Sequence, residues 1–301
     1  MSAAEKQTLS RFAEWEADGS GGAVLNGVPL GSAETAWLCY ALAHAGRPEQ
    51  AEPLLAGLAR RLEPTLGGGP EGLLDAAHWL WAYGVCRSAG CGMAADAGLL
   101  AHAVDLLERH WRTPRPHWLA EAEGGAPAVW LSNLAIVYGG LLAVQPHAPQ
   151  LRERIQALLK TMRELVFAKF IKAEKVVSRL GSADIYGDIV LSAVPFGLLG
   201  IEDRILIEAL YVVERELASG QGVRLSADDT YYGGCERPDL ACLLAWYYAE
   251  KGDLARAKQL IARVDQLLER DNGMLRAVDL DTAREPLYAA YWRERGGEPP
   301  H

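Results

Sequence analysis

The sequence predicts an all-α protein of antiparallel helix pairs stacked around one continuous core. Three observations carry this. Apolar residues recur at intervals of three and four through most of the 301 positions, the spacing of one helix face. The periodic runs are punctuated by Gly, Pro and short polar clusters. Two stretches far apart in the chain, 35–62 and 239–268, share one skeleton: a Gly at a helix end (Gly46, Gly252), an Ala five residues on (Ala51, Ala257) and a Leu three further (Leu54, Leu260). This small-then-large face turns the second helix back on the first. Neither helix of such a hairpin buries its apolar face alone, so several pairs must stack.

The same criteria place helices at 3–16, 32–45, 48–63, 71–88, 94–111, 128–144, 148–171, 187–198, 203–219, 236–251, 253–270 and 283–295. The run at 187–198 also reads as a short buried strand, because IYGDIVLSAV is apolar and β-branched. Between the pairs lie connecting segments at 17–31, 64–71, 112–127, 176–187, 222–236 and 271–282, rich in Gly, aromatic and acidic residues. An open array of tetratricopeptide type would repeat at about 34 residues, which these hairpins do not. Long segments alternating with tight turns fit a single domain over 1–301 that closes into a toroid with one decorated rim. Loops on such a rim are where a rigid scaffold carries a binding site.

Composition narrows the function classes. Lys and Arg number 30 against 39 Asp and Glu, and a net charge of -9 disfavours a nonspecific grip on nucleic acid. No apolar stretch reaches the roughly 20 residues that cross a bilayer, and MSAAEKQTLSRFAEWEADGSGG lacks a secretory pattern, so the expected location is cytoplasmic. The five cysteines form no CxxC, and the histidines form no HExxH, so no metal site is expected. GxGxxG, GxxxxGK[ST] and GxSxG are absent as well, which leaves nucleotide and serine-hydrolase chemistry without a motif and predicts no cofactor.

Two segments concentrate polar and aromatic residues. In ADDTYYGGCERPDL, Asp228 and Asp229 precede Tyr231 and Tyr232, with Glu236 and Asp239 at the next helix start. Glu236 and Asp239 read either as first-turn charges or, with the tyrosines, as part of a pocket for a hydroxyl-bearing ring. In HWLAEAEGGAPAVW, Glu121 and Glu123 follow Trp118. They are either solvated charges or carboxyls in a cavity, where apolar surroundings would raise one pKa and make a proton donor. His78, near Asp75 in LLDAAHWLWAYG, reads as a cavity residue or as a satisfied interior histidine.

SADIYGDIVLSAVPFGLL, DDTYYGGCERPDLACLLAWYYAEKGDLARAKQLIARVD and DNGMLRAV, in that order, resemble the closing third of bacterial glycoside hydrolase family 15 proteins, the glucoamylase and glucodextranase group. HWLAEAEGGAPAVWLSNLAIVYGGL resembles the segment around that family's catalytic acid. GSAETAW and LLDAAHWLWAYG resemble its substrate-binding entry. The resemblance covers residues 25–295 and implies an (α/α)6 barrel that hydrolyses α-glucosidic bonds with inversion, using two glutamates and neither metal nor cofactor. It assigns Glu121 as the acid. Beside it, the candidate sugar contacts are Glu34, Asp75, Trp118, Glu123, Asp229, Tyr231, Tyr232 and Glu236.

The family pattern is broken at three places. Where the family has Trp-x-Arg-Asp, this chain has Gly31, Ser32, Ala33 and Glu34, so the sugar-gripping arginine becomes Ala33. Ala120 precedes Glu121 where the family has Trp, and Trp118 is displaced. The family's Asn-Gly-x-Leu-Pro-Glu is Asn272, Gly273, Met274, Leu275, Arg276 and Ala277, so Ala277 replaces the base. Asp279 is the nearest substitute. A general base contributes about 10²–10⁴-fold to rate. Two readings therefore stand: a glycosidase using Glu121 and Asp279, and a noncatalytic relative binding a carbohydrate, another small molecule or a protein. The expected partner is a small molecule or oligosaccharide, with a protein partner or homo-oligomer left open.

Overall fold

The computed structural model describes residues 15–17, 23–25, 28–66, 69–93, 95–119, 127–218, 222–227 and 235–270. Among them helix dominates. The helices are α1 (Ser32–His44), α2 (Pro48–Leu62), α3 (Leu73–Ser88), α4 (Ala97–His110), α5 (Leu131–Val144), α6 (Arg152–Lys169), α7 (Arg204–Val212), α8 (Pro238–Glu250) and α9 (Leu254–Arg270). The expected helix at 283–295 lies outside the described residues. The chain divides into two compact units, Met1–Thr113 with Ile136–Met162, and Pro114–Ala135 with Arg163–His301.

In the first unit, α1 and α2 form the hairpin that the sequence predicts. Gly46 takes φ +72°, where a side chain would be strained. Its N–H donates to Ala43 O and the Arg47 N–H to Leu42 O, so the orphan carbonyls of α1 are satisfied within the turn. Pro48 then opens α2, where its missing N–H costs nothing. Ala51 and Leu54 are fully buried, as the small-then-large face requires. The α8–α9 hairpin of the second unit repeats this chemistry: Gly252 at φ +80° donates to Ala249 O, and Asp253 N–H to Tyr248 O. Asp253 Oδ1 then accepts the Arg256 N–H and caps α9.

Helix α3 is the centre of the first unit. Its Trp81 stacks on Tyr40 of α1 at 4.9 Å and meets Trp37 edge-on at 4.8 Å. Against its other side, α5 approaches at glycine-only distances. A Cβ on Gly84 would fall 2.3 Å from the Ala143 carbonyl carbon, and one on Gly140 would fall 2.5 Å from Ala77 O. His78, also on α3, is the interior histidine of the two readings. It is 3% exposed and lies 2.9 Å from Leu74 O through Nδ1. Burial pushes its pKa down to about 4, against a smaller upward pull from that carbonyl.

Two expected helices differ. The end of the 3–16 helix is instead strand β1 (Trp15–Ala17), in an antiparallel sheet with β2 (Ala23–Leu25) and β3 (Val28–Pro29). Trp15 and Val24 are strand formers, and the Asp-Gly-Ser-Gly-Gly between them is hairpin composition, so period two wins here. Residues 1–14 lie outside the described residues. The 187–198 helix is a single 3-10 stretch over Gly187–Ser192, buried at every residue, followed by turns. Pro195 disfavours helical backbone at Val194, and the Gly187 N–H is committed to Leu225 O at 2.7 Å rather than to a helical carbonyl.

Two outcomes follow for stability. Gly84→Ala, which on an exposed helix would stabilise by about 1 kcal/mol, here destabilises by about 1–3 kcal/mol, measured by denaturant titration, because the methyl group meets the α5 backbone. For His78 the folded pKa of about 4 lies below the ordinary 6.5, so between these values the unfolded chain binds more protons and stability falls with acidification. This removes up to about 3 kcal/mol by pH 4, and unfolding curves of His78→Gln are correspondingly flatter between pH 6.5 and 4.

Candidate functional site

The second unit gathers segments that are distant in the chain. Arg115 and Ala128 exchange backbone hydrogen bonds at 2.9 and 3.0 Å, Leu180 N–H donates to Val129 O, and Leu131 N–H donates to Ser178 O. The 222–227 run joins them: Arg224 bridges to Glu236, and Gly187 N–H reaches Leu225 O. The described parts of 176–187 and 222–236 therefore meet directly through Gly187 and Leu225, and Arg115 of 112–127 joins them through residues 128–131, which pair with it and with Ser178 and Leu180. A non-helical segment has to satisfy its donors and acceptors somewhere, and these bonds do part of that.

At this junction lies a buried polar cluster. Asp188 is 1% exposed and His117 4%. Asp188 Oδ2 accepts the Trp118 indole N–H at 2.7 Å and lies 2.8 Å from His117 Nε2. The Leu119 N–H points at His117 Nδ1 at 3.3 Å, which assigns the imidazole proton to Nε2 and its donation to Asp188. Ser132 Oγ stands 3.3 Å from the same Nε2. Burial pushes the Asp188 carboxyl up, but the electrostatic pull of His117 and the hydrogen bonds from His117, Trp118 and Ser132 outweigh it. The group is held below the usual carboxylate range. Its Oδ1 is buried without a hydrogen-bond partner among the described residues. Gly187 makes the position reachable, since a Cβ there would fall 2.4 Å from Arg224 O.

An aromatic wall leads outward from this cluster. The His117 ring meets Trp130 edge-on at 4.8 Å, and Tyr186 packs on both, 5.8 Å from His117 and 5.3 Å from Trp130. Tyr186 in turn lines a cavity of about 440 Å³ with Arg179, Asp184, Glu216, Ser226 and Ala227. Arg179 pairs with Asp184 at 2.7 Å, and its guanidinium sits 5.6 Å from the Trp130 ring centre. Charge, hydroxyl and aromatic surface on one concave face suit a ligand carrying several hydroxyls. Among the described residues, no group of three or more His, Cys, Asp or Glu is placed to hold a metal ion. No helix among them is long and apolar enough to cross a membrane.

The expected site residues divide three ways. Glu121, Glu123, Asp229, Tyr231, Tyr232 and Asp279 lie outside the described residues. Glu34 and Asp75, both exposed, belong to the first unit, in the first turns of α1 and α3. Trp118 and Glu236 belong to the second. Trp118 is half-buried and anchored on Asp188. Glu236 is 4% exposed and sits two residues before α8, with its carboxylate beside Gly222, so it is not the first-turn charge of that helix. That place belongs to Asp239, whose two carboxylate oxygens accept from Arg237 Nε at 3.1 Å and Nη2 at 2.9 Å.

Asp188 and His117 were not singled out from sequence. The available signal was an acid inside the apolar run IYGDIVLSAV, where a charge is costly unless paired. Nothing local names its partners, which lie 70 and 71 positions earlier.

No protein-family profile matches the chain. An isomaltose glucohydrolase of Kribbella flavida is 32% identical over 187 residues, covering 60% of this chain and 47% of that protein. The chain thus spans about half the length of the curated relative it matches. A wild-type glycosidase structure superimposes with a TM-score of 0.76 at 22% identity, over 88% of this chain and 80% of the other. A glutamate-to-alanine glycosidase variant in complex with glucose gives 0.76 at 23%, over 88% and 81%. At that identity the likeness is one of fold: the chain has an all-α, barrel-like fold shared with solved glycosidases.

Proposed function

We propose that the chain, as a single domain, is a glycoside hydrolase that acts on an α-linked glucoside or small oligosaccharide by inverting acid/base chemistry. The observation that carries this reading is the 32% identity to an isomaltose glucohydrolase, and the glucose complex among the fold relatives agrees with it. In such a mechanism an acid protonates the leaving oxygen while a base activates water on the opposite face. The two carboxyl groups then stand about 6.5–9.5 Å apart. Glu121 is the proposed acid and Asp279 the proposed base. Trp118, Glu123, Asp229, Tyr231, Tyr232, Glu236, Glu34 and Asp75 are the proposed sugar contacts. The aromatic and carboxylate chemistry around Tyr186 and Arg179 supports a hydroxylated ligand in the second unit.

One observation favours a second reading. Ala277 occupies the place where the resembling family carries its base, and an alanine activates no water. A noncatalytic member that binds a sugar, another small molecule or a protein would have this composition.

Purified protein incubated with isomalto- and malto-oligosaccharides releases glucose between pH 4 and 8 if the first reading holds. Glu121→Gln then lowers kcat by about 10²–10⁴-fold while glucose binding persists. Absence of glucose release across the panel, with glucose still bound in calorimetry, establishes the second reading instead.

A further inference from the structure

Asp188 is too deeply buried to exchange a proton with a substrate, yet it is not a simple packing residue. Its Oδ2 takes the indole and imidazole N–H groups, and its Oδ1 has no hydrogen-bond partner among the described residues. A buried acceptor left without a partner weakens a fold, so a carboxylate used only for packing would be a poor choice here.

The backbone beside the cluster is held without it. Arg115 is paired with Ala128 in both directions, Trp130 Nε1 donates to Arg115 O at 3.1 Å, and Asn133 Nδ2 donates to Pro116 O at 2.9 Å. Those bonds fix where residues 115 and 116 run. They leave the ring of Trp118 undetermined. Its indole N–H, aimed inward at Asp188 Oδ2, is the described hydrogen bond that sets which way the half-buried ring faces, and the His117 ring lies tilted beside it at 6.3 Å. The same Asp188 oxygen is held in turn by His117, and His117 by Ser132 and the Leu119 N–H.

We propose that Asp188 is a positioning residue for sugar binding, acting through Trp118: by accepting the indole N–H, it presets the ring against which the sugar packs. This rests on the reading of Trp118 as a sugar contact. A tryptophan on a connecting segment would otherwise be ordered only when ligand arrives, at a cost to affinity. A ring fixed during folding has met that cost in advance. The His117–Asp188 pair serves the same end by keeping the carboxylate charged and oriented behind the ring.

The test is a double-mutant cycle read by calorimetric glucose binding and by steady-state kinetics on isomaltose. Asp188→Ala weakens glucose binding about tenfold and raises KM more than it lowers kcat, and Trp118→Ala does the same. The double variant is no weaker than Trp118→Ala alone. Asp188→Asn, which keeps an acceptor for the indole, recovers affinity to within about threefold of wild type. Trp118→Phe approaches the same bond from the exposed side: it keeps an aromatic face, smaller than the indole, and removes the donor. It weakens glucose binding as well, and an unchanged affinity there refutes the preset ring even if Asp188→Ala does not fold. Wild-type affinity in Trp118→Phe, or effects of Asp188→Ala and Trp118→Ala that multiply in the double variant, overturns the proposal. Wild-type protein that neither binds glucose nor cleaves isomaltose removes the glycosidase reading and this inference with it.

Discussion

The second unit is organised around one buried carboxylate. Taking an ionised Asp188 out of water costs several kcal/mol, and only close partners recover it. Two of those partners, His117 and Trp118, come from a connecting segment about seventy residues earlier. Their demand explains much of the local geometry. Gly187 has no side chain because the Arg224 carbonyl lies where a Cβ would be, and its N–H is tied to Leu225. The 187–192 stretch is a tight 3-10 run and not a longer helix because its first residues serve these cross-chain bonds. Asp188 thereby joins two of the connecting segments, and Gly187 beside it ties in the third.

The hairpins were legible in the sequence because their determinants are local. A helix stop needs a left-handed residue, and Gly46 and Gly252 stand where the periodicity breaks. The helices that follow begin within two residues, at Pro48 and at the Asp253 cap. Ala51 and Leu54 are buried as their spacing demands. The two misread elements share a cause. At 15–17 and at 187–192 the chain is short, β-branched or aromatic, and flanked by glycine. In such a stretch, period alone does not separate helix from strand or turn, so the hydrogen-bond partner decides: the adjacent strand Ala23–Leu25 in the first case and Leu225 in the second. The close passage of α3 and α5 at Gly84 and Gly140 was hidden for a related reason: a helical glycine looks like a defect until the facing backbone is known.

Of the candidate site, composition was legible and wiring was not. Aromatic and acidic residues on connecting segments marked Trp118 and Glu236, and both lie in the unit where those segments meet. What the residues do there was not readable. Glu236 resembles a helix-start charge by position, yet it is buried two residues ahead of that start, and Asp239 with Arg237 takes the capping-turn place. Trp118 resembles a free sugar platform, yet its N–H is already engaged. Pairing across seventy residues leaves no periodic trace in a single sequence, so Asp188 and His117 were visible only as an odd acid in an apolar run and one histidine among seven.

Fold likeness and chemistry separate cleanly in this architecture. Helix faces carry the core while helix starts and connecting segments carry the polar groups, so a side chain at a helix start, such as Ala33 in the first turn of α1, can change without disturbing the hairpin. A shared fold at 22% identity is therefore compatible with activity and with its loss. The Asp188 cluster bears on that choice differently. A buried carboxylate carries a desolvation cost that apolar residues of similar volume would avoid. A chain with no use for an ordered Trp118 has nothing to gain from His117, Trp118 and Asp188 wired together under an aromatic wall and a polar cavity. The stability given up at that point is explained if the wall has a ligand to meet, whichever way the question of the base is answered.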